Sequence, residues 1–301
     1  MAALPARLKR RFTIALCCAV LVLASTGMPA QPRDPATSAP QRIVSFVPAA
    51  TEMLFAMGAG SRLVGVSTYD RFPPEVTKIP SVGGLLDPSV ERVLSLRPDL
   101  VVIYGSQTDL EQQLTRAGLP LYTYVHRDLA DVARTMRSLG ERVGAAAAAD
   151  REAQRLEAGL DAVRRRVAGL PRPKTLLVLG RQPKTLRQIL ASAGYGFLHD
   201  LLDLAGGADV WSTVKRESVE MSTEMVLSQA PEVIIELHYG REFQPGELEE
   251  ERRVWDTLGS VPAVRNRRVH LLVGDEFVVP GPRIVAAADR LARTLHPTMA
   301  P

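Results

Sequence analysis

The longest unbroken helical pattern in the chain is Ala145–Leu170, AAAAADREAQRLEAGLDAVRRRVAGL. Leu156, Leu160, Val163 and Val167 recur at helical spacing and draw one apolar stripe. Ala, Leu, Arg, Glu and Gln fill the rest, all strong helix formers, and Gly159 costs about 1 kcal/mol without breaking the pattern. Pro171 and Pro173 end it. At 1.5 Å per residue the segment spans about 37 Å, more than one small domain is wide. It reads as a strut, with one α/β lobe before it (42–144) and a similar one after it (174–297).

Apolar strand patterns alternate with helical ones on both sides. Before the strut, strands are expected at Arg42–Phe46, Leu63–Ser67, Asp99–Tyr104 and Leu121–Val125, with helices at 48–57, Ser89–Leu96, Leu110–Ala117 and Leu129–Val143. After it, strands are expected at Thr175–Gly180, Glu232–Leu237 and Val269–Val273, with helices at Gly196–Ala205, Thr223–Gln229, Glu247–Leu258 and Pro282–Leu295. This alternation predicts parallel sheets covered by helices on both faces. Gly58-Ala59-Gly60 follows a helix and reads as its C-cap.

An internal repeat links the lobes. ERVLSLRPDLVV (91–102) and EMVLSQAPEVII (224–235) align without a gap at an offset of 133 residues. Each copy has a serine two residues before its glutamate, Ser89 and Ser222, suited to an N-cap. Recurrence across the strut points to duplication of one lobe.

The first thirty residues follow another pattern. Arg7, Lys9, Arg10 and Arg11 precede an apolar run, Phe12–Ser25, too short to span a membrane. Small residues follow, and the whole reads as a cleavable signal peptide (1–30). Residues 31–41, beginning QPRDPATSA, read as a disordered lead-in. Removing the signal takes the formal net charge from +4 to zero, so the basic precursor says nothing of nucleic acid, which is not expected as a partner. It also removes Cys17 and Cys18, the only cysteines, leaving no disulfide or thiolate chemistry. The expected location is periplasmic or secreted.

RIVSFVPAATEMLFAMG (42–58), VGVSTYDRFPPEV (64–76), SVERVLSLRPDLVV (89–102) and GPRIVAAADRLA (281–292) together resemble the substrate-binding proteins of ABC importers for cobalamin, ferric siderophores and haem, most closely the cobalamin binders. The resemblance covers nearly all of the chain after the signal. It implies an α/β fold of two Rossmann-like lobes bridged by one long helix, with a shallow ligand cleft between. It implies a non-enzymatic monomer that holds no cofactor of its own. Its ligand would be a small metal chelate, cobalamin first and haem or a ferric siderophore otherwise, passed to the permease subunits of a membrane importer. It also implies that Glu91 and Glu224, one per lobe, dock onto permease arginines; a glutamate in a first helical turn otherwise only complements the helix dipole.

Candidate ligand residues lie in loops after strands, where open α/β lobes bind ligands. Tyr69 matches the tyrosine that contacts corrinoid in the cobalamin binders. Leu85 and Glu276 stand where that group has tryptophans, the latter within the loop Asp275-Glu276-Phe277. A corrinoid is a large, mostly apolar disc with amide fringes. Tyr69, Leu85, Phe277, Tyr239 and Trp211 are candidates for its flat contacts, and Arg181, Gln182 and His238 for polar anchors. Haem binders carry an iron-ligating tyrosine where this chain has Gly84; Tyr69, His238 or Tyr239 would have to serve instead. Siderophores would want arginines, of which Arg71, Arg181, Arg241 and Arg283 are scattered.

Other classes lack support. The histidines at 126, 199, 238, 270 and 296 show no metal-ligand spacing. No dinucleotide fingerprint, Walker loop, nucleophile elbow or His-Glu-x-x-His is present. A sensor or scavenger without a permease would share the fold, and the paired glutamates discriminate against it. The continuous strut predicts only small lobe motions on binding.

Overall fold

The computed structural model describes residues 39–240 and 242–298. The signal-peptide segment lies outside the described residues, as does the lead-in up to residue 38. The end of that lead-in is held in place. Pro40 is buried, and the amides of Gln41 and Arg42 donate to the two carboxylate oxygens of Asp99, each at 2.8 Å. The expectation of disorder through residue 41 is therefore corrected: two charge-assisted bonds fix this stretch to the first sheet.

The first lobe runs β1 (Ile43–Ser45), α1 (Pro48–Ala56), β2 (Leu63–Val66), α2 (Val90–Ser95), β3 (Leu100–Tyr104), α3 (Thr108–Arg116), β4 (Leu121–Tyr124) and α4 (Asp131–Arg142). Its sheet has order β2-β1-β3-β4, parallel throughout. Gly58, at φ +80°, closes α1, and the amides of Gly58 and Ala59 reach back to the carbonyls of Phe55 and Leu54.

The strut is α5 (Ala146–Val167), 22 residues long. Beyond it run β5 (Lys174–Gly180), β6 (Ile189–Ser192), α6 (Phe197–Leu204), β7 (Ala208–Asp209), β8 (Ser218–Met221), α7 (Thr223–Gln229), β9 (Val233–His238), α8 (Glu247–Arg253), α9 (Pro262–Arg265), β10 (Val269–Val273) and α10 (Ile284–Leu295). The main order is β10-β9-β5-β6-β8, with β7 beside β5. Strands β10, β9, β5 and β7 are parallel, but β6 runs antiparallel to both β5 and β8. This corrects the expectation of a purely parallel second sheet. The short β7 takes the place beside β5 that β2 takes beside β1, and the β6–β8 pair fills the rest of that edge.

Strand alternation sorts the cores. Ile43, Leu100 and Val102 face one side of the first sheet, and Val44, Val101 and Ile103 face the other. Leu177, Val233, Ile235 and Leu237 face one side of the second sheet, and Leu176, Val178 and Ile234 the other. The two inward faces belong to a single apolar cluster. It is filled by α1, α4, α6, α10 and the stripe Leu156, Leu160, Val163 and Val167 of α5. The order of layers is helix, sheet, shared helices, sheet, helix. The lobes are two by topology and one by core.

Helices α4 and α5 lie close at Gly140, where a Cβ would stand 2.2 Å from that of Ala149. Gly140→Val is expected to cost about 1–3 kcal/mol through overpacking. Urea unfolding would measure it, and an unchanged midpoint would contradict this close approach.

Candidate functional site

A cavity of about 600 Å³ opens between the lobes. The first lobe lines it with segments just past strand ends: Pro48 and Ala49 after β1, Tyr104 to Ser106 after β3, and Tyr124 to His126 after β4. The second lobe contributes Val278, Val279 and Pro280. Parallel strands place their carboxyl ends on one edge, so loops distant in sequence meet there.

An aromatic ladder forms one wall. Tyr104 meets Tyr124 edge-on at 5.8 Å, Tyr124 lies parallel to His126 at 6.2 Å, and His126 meets Phe197 of α6 edge-on at 5.1 Å. The ladder thus crosses from one lobe to the other. The Tyr124 hydroxyl and both His126 ring nitrogens are buried without a hydrogen-bond partner among the described residues. Burial lowers the pKa of His126, against the pull of Asp131 and Asp128, so its imidazole is neutral at pH 7. Burial likewise raises both phenols, that of Tyr104 to about 12 with Asp70 adding to the effect. The wall is aromatic and uncharged, with polar atoms held in reserve.

The rim is built by loops that tie to one another. Tyr69 is 55% exposed, and its ring lies so close to Gly84 that a Cβ there would stand 2.5 Å from its Cε2. Gln107 joins the next loop to β3: its Nε2 donates to the carbonyl of Leu85 at 3.2 Å, and its Oε1 accepts from the amide of Tyr104 at 3.0 Å. Arg71 crosses to the second lobe, donating to the carbonyl of Gly240 at 2.8 Å and lying 3.9 Å from the Asp275 carboxylate. Asp275 in turn accepts from the amide of Gly240 at 2.8 Å. Tyr69, Leu85, Tyr239 and Asp275 are therefore on linked rim loops, with Tyr239 48% exposed.

Three expected ligand residues are occupied elsewhere. Arg181 is not a cleft anchor: its side chain is 1% exposed, with Glu236 at 3.1 Å and Glu251 at 2.9 Å. Phe277 is not an exposed wall; it is fully buried beneath the Arg290 guanidinium. Glu276 is neutralised by Arg290 and by Arg283 at 3.5 Å. Arg283 also holds the buried Glu52 of α1 through two bonds, at 3.0 and 2.5 Å, and so pins the lobes together behind the cleft. Of the polar and flat candidates, Trp211 packs on the outer core of the second lobe, and His238 sits 3.1 Å from Glu236. Gln182 is exposed, and Arg241 lies outside the described residues. Sequence reasoning passed over Tyr104, Tyr124 and His126, although the rule that selected Tyr69, a position just after a strand, applies equally to them.

Asp70 anchors the Tyr69 loop. Its Oδ2 accepts from the amide of Ser67 at 2.8 Å, and the Ser67 hydroxyl accepts from the amide of Tyr69 at 3.2 Å. Burial pushes the Asp70 carboxyl up to about 7.

Glu91 and Glu224 are exposed in the first turns of α2 and α7, and neither forms an ion pair among the described residues. Ser89 and Ser222 cap these helices, accepting from the amides of Arg92 and Met225, each at 3.4 Å. The hydroxyl of Ser222 holds the Glu224 carboxyl below its ordinary pKa.

Two α/β lobes on one core, with a ligand-sized cleft at their strand ends, define a two-lobed solute-binding protein. Residues 43–275 match the family described as periplasmic binding protein, and the chain belongs to that family. It is 30% identical over 257 residues to a vitamin B12-binding protein of Salmonella typhimurium, covering 84% of this chain and 90% of that one. A periplasmic heme-binding protein from Pseudomonas aeruginosa matches with a TM-score of 0.73 and 26% identity, over 87% of this chain and 95% of that one. The periplasmic vitamin B12-binding protein of Vibrio cholerae shares the fold, with a TM-score of 0.74 and 23% identity over 85% of this chain and 97% of that one. The chain is a binding protein of the ABC-transporter type and not an enzyme.

A raised carboxyl binds its proton more tightly in the folded state, so stability is lost as pH rises from about 4 to about 7. Asp70→Asn retains an acceptor for the Ser67 amide and removes this titration. The decline in Tm between pH 5 and pH 8 is expected to flatten in Asp70→Asn; an identical pH profile in both proteins would contradict it.

Proposed function

We propose that the chain is the extracytoplasmic solute-binding component of an ABC importer, and that its ligand is cobalamin or a related corrinoid. The observation that carries the importer reading is the pair Glu91 and Glu224. They are acids without an ion pair among the described residues, at equivalent repeat positions, one on each lobe, suited to orienting the protein on a two-fold permease by charge complementarity. The corrinoid reading is supported by the vitamin B12-binding relatives, by the apolar aromatic wall and by exposed Tyr69 at the rim. The 600 Å³ chamber would receive one face of a macrocycle, with the disc lying between Tyr69 and the ladder. Residues 1–30 act as the export signal, the mature chain is a periplasmic monomer, and the bound chelate is cargo rather than a resident cofactor.

Haem is the second reading, favoured by the heme-binding relative and by the His126 imidazole, which lines the cavity and has no hydrogen-bond partner among the described residues. Purified mature protein, exposed in turn to cobalamin, haem and a ferric siderophore and then desalted, should retain the corrinoid spectrum. A retained haem spectrum alone would replace the cargo assignment and leave the importer role standing. Tyr69→Ala should weaken corrinoid binding about tenfold through lost stacking, measured by titration of the bound spectrum. In proteoliposomes, Glu91→Lys with Glu224→Lys should stop uptake while corrinoid affinity is unchanged; normal uptake would refute docking through these acids.

A further inference from the structure

The repeat allows α2 and α7 to be compared residue by residue, and the agreement extends well beyond the two glutamates. Val93 and Val226 are both fully buried. Ser95 and Ser228 each donate a hydroxyl hydrogen bond to the carbonyl three residues earlier, at 2.8 and 2.9 Å. Arg97 and Ala230 both end their helices in the left-handed region, at φ 47° and 45°. Leu94 and Leu227 stand at the same register, and both are exposed, by 43% and 41%.

A single exposed leucine requires no explanation. A matched pair is different, because other positions of the two helices have changed between the copies. Arg92 faces Met225 across the alignment, Leu96 faces Gln229 and Arg97 faces Ala230. Leucine is kept at both sites although packing does not demand it. Residues three apart on a helix share a face. Each leucine therefore stands next to its glutamate, Glu91 with Leu94 and Glu224 with Leu227, with the buried valines turned the other way.

We infer that Leu94 and Leu227 are the apolar halves of two equivalent contact points, each an acid paired with a leucine. This rests on the importer reading above. The partner is a two-fold permease surface. Each half presents a cation beside a small apolar socket, about 5–6 Å apart, the separation of i and i+3 positions on the docking helix. The acids supply steering and the leucines supply buried apolar area, so the two contributions differ in their response to salt.

The test uses a permease in lipid nanodiscs that binds the wild-type mature chain, with association measured across a salt series. Leu94→Ser and Leu227→Ser should each weaken binding by a similar factor, about five- to tenfold, and together by about 30- to 100-fold. The salt slope, corrinoid affinity and Tm should stay at wild-type values. Glu91→Gln with Glu224→Gln should instead weaken binding and reduce the salt slope. If the glutamine pair weakens binding and the serine pair changes it less than twofold, the leucine inference is overturned and the docking reading stands. If only one leucine matters, the proposed equivalence is overturned. If neither pair matters, both readings fall.

Discussion

The structure depends on an apolar cluster that does not stop at the lobe boundary. Each sheet turns one face inward, and both faces meet the same layer of helices, with α5 running through it. Separating the lobes would expose the stripe from Leu156 to Val167 and the facing residues of α10 and α6. At about 25 cal/mol per Å² of apolar surface, that opening is costly. The buried Glu52–Arg283 pair reinforces this behind the cleft, since parting the two groups would leave an uncompensated charge inside the protein. Geometry at the rim follows: Arg71 can reach Gly240 and Asp275 because the shared core fixes the distance between the loops.

Duplication explains why one cleft has two similar banks. β3 lies between β1 and β4 as β9 lies between β5 and β10, and the capping serines and left-handed terminal residues recur at a constant offset. The copies differ where they line the cleft. The first lobe supplies strand-end aromatics, whereas the second supplies the short loop Val278 to Pro280 and uses its strand-end arginine, Arg181, internally. Burial alone would raise Glu236, but His238, Trp255 and Arg181 hold its carboxyl below the usual range. The second lobe has thus spent its polar strand-end residues on its own interior.

The strut, the lobes and the helices α2 and α7 were legible because each rests on periodicity or local chemistry: the stripe of α5, the prolines after it, and the serine caps. The antiparallel β6 and β8 were not, because four-residue strands are too short to show clear alternation, and their pairing is decided across the 25 residues (193–217) between them. The role of Arg181 was equally hidden. Nothing near it in sequence announces Glu236 and Glu251, which lie 55 and 70 residues away. Phe277 lies in a single 3₁₀ turn, too short for any period to reveal its inward direction. The linked rim positions of Tyr69 and Tyr239 could be placed from strand ends alone, but that rule does not say which side chains are free.

Gly84 and Tyr69 compete for one volume. A side chain at position 84 would expel the ring of Tyr69, so the cleft can carry an aromatic group at that spot from one backbone position or the other, but not from both. A tyrosine at 84 would therefore not stand beside the ring of Tyr69; it would displace it. Moving the ring from position 69 to position 84 would accordingly be a switch, not a gradual change in the shape of the cleft.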